Sequence, residues 1–295
     1  MRDRYLHRFG NGKGFGAEIL DMSWALYQCS RVGITFALQE DPKPIGVACF
    51  QGWNDYFKPF CPTVRVERFG GCNRYYYSRL LGAPQRLISR KLLDLQTQSN
   101  NYYLFDCPSI SRLPAIDSRF SSGQDRDTLF RNIYHYSLAT EAAINLRLSK
   151  LPKVNSDWIS IHIRRGDKIT ESNYVDIDCY VKALGQIDGW RERPIFVMSD
   201  SAIAIVRLAE AVRRTIYSFS ASQEKNQFSY GYNQDNFNSK HAKIRHNEIL
   251  DLLAEIEVAR NSGHFLGSAS SNLFHVVRLF RGNPYLSLLN VSNSA

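Results

Sequence analysis

Nothing in this chain is spaced as Cys-x-x-Cys, although it has six cysteines: Cys29, Cys49, Cys61, Cys72, Cys107 and Cys179. That absence argues against a structural zinc site. Five of the six fall in the first 107 residues, so an oxidising compartment would permit disulfides there, but buried free thiols are the plainer expectation. No apolar run is long enough to span a bilayer, and no secretory signal pattern is present. The expectation is a soluble, cytoplasmic protein without an integral membrane segment, or a secretory-pathway lumenal one if a longer chain was trimmed. Runs of like charge are also missing. The net charge of +9 suits an anionic partner, whether a nucleotide diphosphate, a nucleic acid or an acidic surface, but it is scattered along the sequence, which counts against nucleic acid. There is no internal repeat. In the second half no Asp-x-Asp ends a strand; Asp176-Ile177-Asp178 stands at a helix start, where acidic groups complement the helix dipole. No metal site is expected.

What is present begins with Trp158-Ile159-Ser160-Ile161-His162-Ile163-Arg164-Arg165-Gly166-Asp167-Lys168. Ile159, Ile161 and Ile163 alternate as one face of a strand. The strand runs into a His, two Arg, an Asp and a Lys. Arginine's planar fork fits phosphate oxygens two at a time, and the carboxyl ends of strands are where open α/β sheets bind ligands. An ordinary charged surface turn is the bland alternative. Two further polar clusters follow strand-like runs: Ser199-Asp200-Ser201 after Pro194–Met198, and Ser268-Ala269-Ser270-Ser271 after His264–Gly267. Parallel strands would bring all three clusters to one crevice. Ser270-Ser271 opens a helix, where free N–H groups suit a phosphate, though a lone Ser-rich turn is more often a cap.

The first half offers Gly10-Asn11-Gly12-Lys13-Gly14-Phe15-Gly16 before a helix-like run from Ala17 to Arg31, then a strand over Gly33–Leu38. As a bare glycine pattern it is either a phosphate cradle or a tight packing turn. Asp125 to Leu151 reads as one long amphipathic helix with a stripe of Leu129, Ile133, Tyr136, Leu138, Ala142 and Leu146, closed by Pro152, linking two halves. Beyond it the pattern predicts helices over Tyr174–Leu184, Ala202–Arg213, His246–Ser262 and Ser271–Phe280. It also predicts a short strand at Thr215–Phe219 and a mobile polar loop over Ser220–Asn238. The fold class is α/β: two Rossmann-like domains with a cleft between them, GT-B-like.

These segments resemble, in order, the motifs of the α1,6-fucosyltransferase family, which includes core fucosyltransferases of N-glycans and rhizobial chitin-oligosaccharide fucosyltransferases. His162–Lys168 is similar to the first motif. Ile195–Ser201 is similar to the second, with Ser201 in place of a second Asp. Ala254–Val276 is similar to the third, with Glu255 in place of an Asp and Ser270-Ser271-Asn272 in place of Ser-Ser-Gln. The Gly-rich loop and Trp53-Asn54-Asp55-Tyr56-Phe57-Lys58-Pro59 match two further features, and the chain resembles the catalytic core alone. The resemblance implies a metal-independent inverting transferase that moves fucose from GDP-fucose to an oligosaccharide or glycan hydroxyl, with no cofactor beyond the donor. Arg164 would hold the donor β-phosphate, helped by Arg165 and by Ser270 or Ser271, with Gly14 and Gly16 in the facing loop. His162 and Glu255 would face guanine, and Asp200 would order the pocket. Asp167, Lys168 and Glu171 would lie near the reacting centre, with Glu171 as general base and Asp167 next in line. Residues 1–150 would form the acceptor-side domain, including the linking helix, and residues 151–295 the GDP-sugar domain. The rivals are a protein O-fucosyltransferase or other nucleotide-sugar transferase on the same fold, and a non-catalytic module for anionic ligands.

Overall fold

The structure is a computed structural model that describes residues 4–7, 14–32, 35–40, 53–61, 63–65, 102–104, 123–166, 175–219, 233–268, 270–281 and 286–287. Elements are numbered among these. The first sheet contains β1 (Arg4–His7), β2 (Thr35–Glu40), β3 (Thr63–Arg65) and β4 (Tyr102–Leu104) in the order β3-β2-β1-β4. The second contains β5 (Ile159–Ile163), β6 (Ile195–Ser199), β7 (His264–Gly267) and β8 (Leu286–Ser287) in the order β6-β5-β7-β8. Every pairing in both is parallel. The α/β class expected from the sequence is the class observed.

Parallel neighbours need crossovers, and the helices supply them. These are α1 (Phe15–Val32) between β1 and β2, α4 (Ile177–Leu184) between β5 and β6, and α5 (Ala202–Val212) after β6. They are joined by α6 (Gln234–Ser239), α7 (Ala242–Asn261) before β7, and α8 (Asn272–Arg281) after it. Both β5 and β6 are buried along their whole length. The strand period of two then sorts β5 into two faces. Ile159, Ile161 and Ile163 join a core with Tyr180 and Leu184 of α4 and Leu208 of α5. The opposite face carries Ser160 and His162 toward Ser262 and Gly267, which follow α7 and end β7. A second apolar cluster takes Phe15, Ile19 and Met22 from α1 together with Phe265 of β7 and Phe274, Val277 and Phe280 of α8, so residues from both halves of the chain share it.

The single linking helix is not observed. Residues 123–148 form two helices, α2 (Gly123–Ile133) and α3 (Leu138–Leu148). Between them the main chain turns to Trp53–Lys58: Lys58 N donates to His135 O at 2.7 Å, Ser137 N donates to Tyr56 O at 2.9 Å, and Phe57 bridges Tyr136. Tyr136 leaves the helical path for an aromatic cluster with Phe57 and Tyr134, and its hydroxyl donates to Glu257 at 2.9 Å. Ser137 restarts the helix as an N-cap for Thr140 N. The apolar stripe also fails there: α3 buries Thr140 and Ile144, whereas Leu138 and Leu146 are 78% and 67% exposed. Its last turn closes at Ser149, before Pro152.

Smaller differences follow. The stretch Thr215–Phe219 contributes one isolated bridge, Phe196 to Tyr217, beside β6. The His246–Ser262 helix begins earlier, at Ala242. Gln234–Ser239, expected in a loop, is helical, and 220–232 lie outside the described residues. Cys29, Cys61 and Cys179 are free, with burial pushing the first two thiols up to about 12; Cys49, Cys72 and Cys107 lie outside the described residues. Among the described residues no helix is long and apolar enough to cross a membrane.

Candidate functional site

The register of the second sheet decides which side chains meet. His162 lies beside Met198 on one side and Gly267 on the other, and Ile163 lies beside Ser199. The residues that follow, Arg164, Asp200 and Ser268, therefore leave the sheet at the same carboxyl edge.

There Asp200 ties the first cluster to the second. One carboxylate oxygen pairs with the Arg164 guanidinium, and the other accepts from Arg165 N at 2.8 Å. Arg165 in turn donates to Arg164 O at 3.1 Å, and Gly166 completes the turn at φ +69°, a left-handed position that costs glycine nothing. The Arg164 and Asp200 side chains are 17% and 13% exposed, enough screening from water to strengthen a charge pair while leaving one side open. Ser199 donates to Ile163 O at 2.9 Å and so locks the two strand ends together. Ser201, where the resemblance has an acidic residue, is buried, and its hydroxyl accepts from Ala204 N as the N-cap of α5. This short hydroxyl serves the helix end.

His162 sits beneath this edge with 4% exposure, and no partner meets its Nδ1. Burial first, then the neighbouring Arg164, lowers its pKa to about 3, so the ring is neutral at pH 7. Its carbonyl accepts from the Tyr180 hydroxyl at 3.3 Å. Gly267 makes room for it: a side chain there would meet Phe274 Cδ2 at 2.8 Å and His162 Cβ at 3.3 Å. Gly267 and Phe274 were not singled out from the sequence; an isolated glycine inside a strand run was the available signal.

The third cluster opens α8. Ser268 and Ser270 hydroxyls lie 2.7 Å apart, Ser271 N donates to Ser268 O at 3.1 Å, and Ser271 is buried while Ser270 is exposed. Gly16, at the end of the Gly-rich stretch, also stands here, while Gly10–Lys13 lie outside the described residues. A Cβ at Gly16 would fall 2.9 Å from Leu273 N and 3.1 Å from the Asn272 carbonyl carbon, so the first turns of α1 and α8 touch backbone to backbone. Gly14 O accepts from Ala17 N and Glu18 N as α1 begins. Two helix amino termini, each with a partial positive charge, thus adjoin beside the serines.

Glu255 is buried on α7, which rules out the solvated position that a lone helix glutamate usually takes. Seven helical residues from Glu255 to Ser262, and the three strand residues from His264 to Gly267, both span roughly 10 Å. Because α7 and β7 run in opposite senses, Glu255 stands level with the carboxyl end of β7. Asp167, Lys168 and Glu171 lie outside the described residues. Among the described residues no group of three or more His, Cys, Asp or Glu is placed to hold a metal ion. Asp176 is the N-cap of α4, accepting from Asp178 N at 3.1 Å.

No protein-family model and no curated protein matches the chain. Solved structures do. The fucosyltransferase NodZ from Bradyrhizobium aligns over 95% of this chain and 94% of its own, with a TM-score of 0.58 and 13% identity. POFUT1 in complex with GDP aligns over 97% and 98%, with a TM-score of 0.54 and 12% identity. A mutant of Arabidopsis thaliana FUT1 in complex with GDP aligns over 99% and 72%, with a TM-score of 0.59 and 11% identity. The likeness is one of architecture: this chain has the GT-B-type fold on which these fucosyltransferases are built.

Proposed function

We propose that the protein transfers fucose from GDP-fucose to a glycan hydroxyl, with inversion and without a metal ion. The observation that supports this most is the junction at the carboxyl edge of the second sheet. There Arg164, Arg165 and Asp200 share one edge with the serines at the start of α8, and α1 meets α8 at Gly16. A fold shared with a NodZ α1,6-fucosyltransferase co-crystallised with GDP makes GDP-sugar chemistry the natural use of such an edge.

In this reading the acceptor oxygen attacks C1 of fucose as the bond from C1 to the β-phosphate oxygen breaks. GDP leaves with the bonding pair. The acceptor proton passes to a carboxylate, Glu171 or, failing it, Asp167, with Lys168 beside the reacting centre. Arg164 trades Asp200 for the β-phosphate; Arg165, Ser270, Ser271 and the helix amino termini at Gly14–Gly16 and Ser271 share the developing charge. That combination of fixed cations and N–H dipoles is why no metal is invoked. His162, neutral and with Nδ1 unpartnered, and Glu255, buried at the same height, would read guanine; a carboxylate can accept from both the ring N–H and the exocyclic amine. Residues 1–150 would carry the acceptor side and 151–295 the donor side.

A second reading, transfer to a protein hydroxyl, draws on the likeness to POFUT1 along nearly the whole of both chains. The test is turnover of GDP-fucose, GDP-mannose and UDP-sugars against a glycan array and a set of folded glycoprotein domains, with and without EDTA. Fucose transfer to glycans that survives EDTA is expected. Transfer only to polypeptide selects the second reading, and salt-sensitive binding without turnover of any donor defeats both.

A further inference from the structure

The second sheet has another edge. At the amino ends of β5 and β6, six strand residues or roughly 20 Å from Arg164, the surface dips into an open depression of about 470 Å³. That is within the roughly 300–1,000 Å³ range of small-ligand sites. Its wall carries Lys153, Asn155, Asp157, Glu192 and Arg193, with Trp158 at its base. From this composition we propose a second binding site for a neutral, hydroxyl-rich ligand: a short oligosaccharide, bound independently of any nucleotide donor.

The walls are held in place before any ligand arrives. Asn155 and Asp157 clasp each other: Asn155 Nδ2 donates to Asp157 Oδ2 at 3.2 Å, and Asp157 N donates to Asn155 Oδ1 at 3.0 Å. Trp158 Nε1 donates to Lys153 O at 3.2 Å, fixing the loop that brings Lys153 to the rim. Arg193 Nε donates to Asp188 O at 3.2 Å. The Glu192 main chain closes a turn on Gly189 O, with Gly189 at φ +64°. Among the described residues none of the four charged groups is held in an ion pair, so each keeps donors or acceptors for a ligand.

The chemistry selects the ligand class. Lys153 and Arg193 are balanced by Asp157 and Glu192, so the depression has no net charge. A phosphate or sulfate would meet two carboxylates as well as two cations. A nucleobase would find no open face of Trp158 to stack on, because that ring is only 2% exposed. Sugar hydroxyls both donate and accept, and they match a rim that alternates carboxylate, amide, ammonium and guanidinium.

The test is calorimetric titration of the full chain, without donor, with chitotetraose, cellotetraose and maltotetraose. A sulfated tetrasaccharide and inorganic phosphate form the anionic arms. At least one neutral tetrasaccharide should bind in the millimolar range or tighter. The Asp157→Ala/Glu192→Ala double variant should weaken it on the order of tenfold, as expected when hydrogen bonds to charged groups are lost. A Glu192→Gln single variant, which keeps the side-chain shape, should weaken it severalfold and decides the matter if the double variant melts early. Arg164→Ala should leave saccharide binding intact, so loss of GDP binding and loss of this site are read separately. The proposal is overturned if no neutral tetrasaccharide binds at about 10 mM, if the carboxylate variants bind as wild type, or if the anionic arms bind in preference.

Discussion

The two edges of the second sheet use arginine in opposite ways. At the carboxyl edge Arg164 is matched to a side chain, the Asp200 carboxylate, which also holds Arg165 N. At the amino edge Arg214 and Arg281 are spent on main-chain carbonyls. Arg214 donates to Trp190 O at 2.9 Å and to Arg193 O at 3.0 Å. Arg281 donates to Ala259 O, to Ser262 O at 2.6 Å and to Gly263 O at 2.9 Å, capping the end of α7. A carbonyl-bound arginine is a staple, because one side chain ties several main-chain carbonyls together and a helix carboxyl end favours a cation. A carboxylate-bound arginine at a strand end can exchange one anion for another. The same side chain is architecture at one edge and, in the reading proposed here, machinery at the other.

The sharpest way to break this contrast is Arg164→Ala. Truncating one partner of a charge-assisted anion contact costs roughly 2–5 kcal/mol, so GDP affinity should fall by at least an order of magnitude and transfer should cease. Arg164→Lys should recover little, because a point charge cannot span two oxygens. Calorimetry with GDP and a turnover assay check both, and near-normal values in either variant remove the exchange role. Arg281→Met is the converse. It should lower unfolding free energy by about 1.5–3 kcal/mol, the value of hydrogen bonds to a charged group, while GDP affinity stays put. A urea titration that shows wild-type stability would demote Arg281 from staple to surface charge.

Histidines extend the comparison to pH. His162 titrates near 3 in the folded protein because burial, then Arg164, opposes its charge, whereas the unfolded chain takes up that proton near 6.5. Between these values the unfolded state binds more protons. Its contribution is therefore full above pH 6.5 and declines as pH falls toward 3. Between pH 7 and 5 the wild type should lose about 2 kcal/mol that a His162→Gln variant keeps. Equal losses in the two proteins would show that the ring accepts a proton in place. His264, at the other edge, is also lowered, by burial first and then by Arg193 and Arg281, so the pair of variants at both positions tells which edge sets the slope.

Much of the second sheet was legible because its strands end abruptly. Ile159, Ile161 and Ile163 alternate and then meet Arg164-Arg165, and the runs before Asp200 and Ser268 stop in the same way; parallel packing did the rest. Asp176 could be read as a helix start because its neighbours left it no strand to end. The linker was not legible. Neither proline nor glycine occurs in 124–148, and the break at Tyr134–Ser137 is dictated by hydrogen bonds to Tyr56 and Lys58, some 80 residues earlier. Tertiary contact overrode a continuous apolar pattern, which is also why Leu138 and Leu146 are exposed. Arg281 as a cap and Gly267 as the space for Phe274 were hidden for the same reason: each depends on a partner that the local sequence does not name.

Ser201 is the residue on which the contrast between edges can be sharpened most finely, because it sits at the carboxyl edge yet behaves as architecture. It follows Asp200 directly, but its hydroxyl accepts from Ala204 N at 3.3 Å and its own N–H donates to Ser199 Oγ at 3.1 Å. With 4% exposure it offers little surface to a ligand. If capping is its whole task, Ser201→Ala should cost about 1 kcal/mol, the usual value of a lost N-cap, and GDP affinity should stay within about twofold, since 0.4 kcal/mol is all that such a change represents. Ser201→Asp should keep the cap, because aspartate accepts from the same N–H groups and its charge suits a helix amino terminus. It would also add a second carboxylate beside Asp200, in competition for Arg164, so weaker GDP binding with retained stability is expected. Thermal melts and GDP titrations on both variants separate the roles. A tenfold loss of GDP affinity in Ser201→Ala, with the melting temperature unchanged, would move Ser201 from the scaffold into the donor pocket.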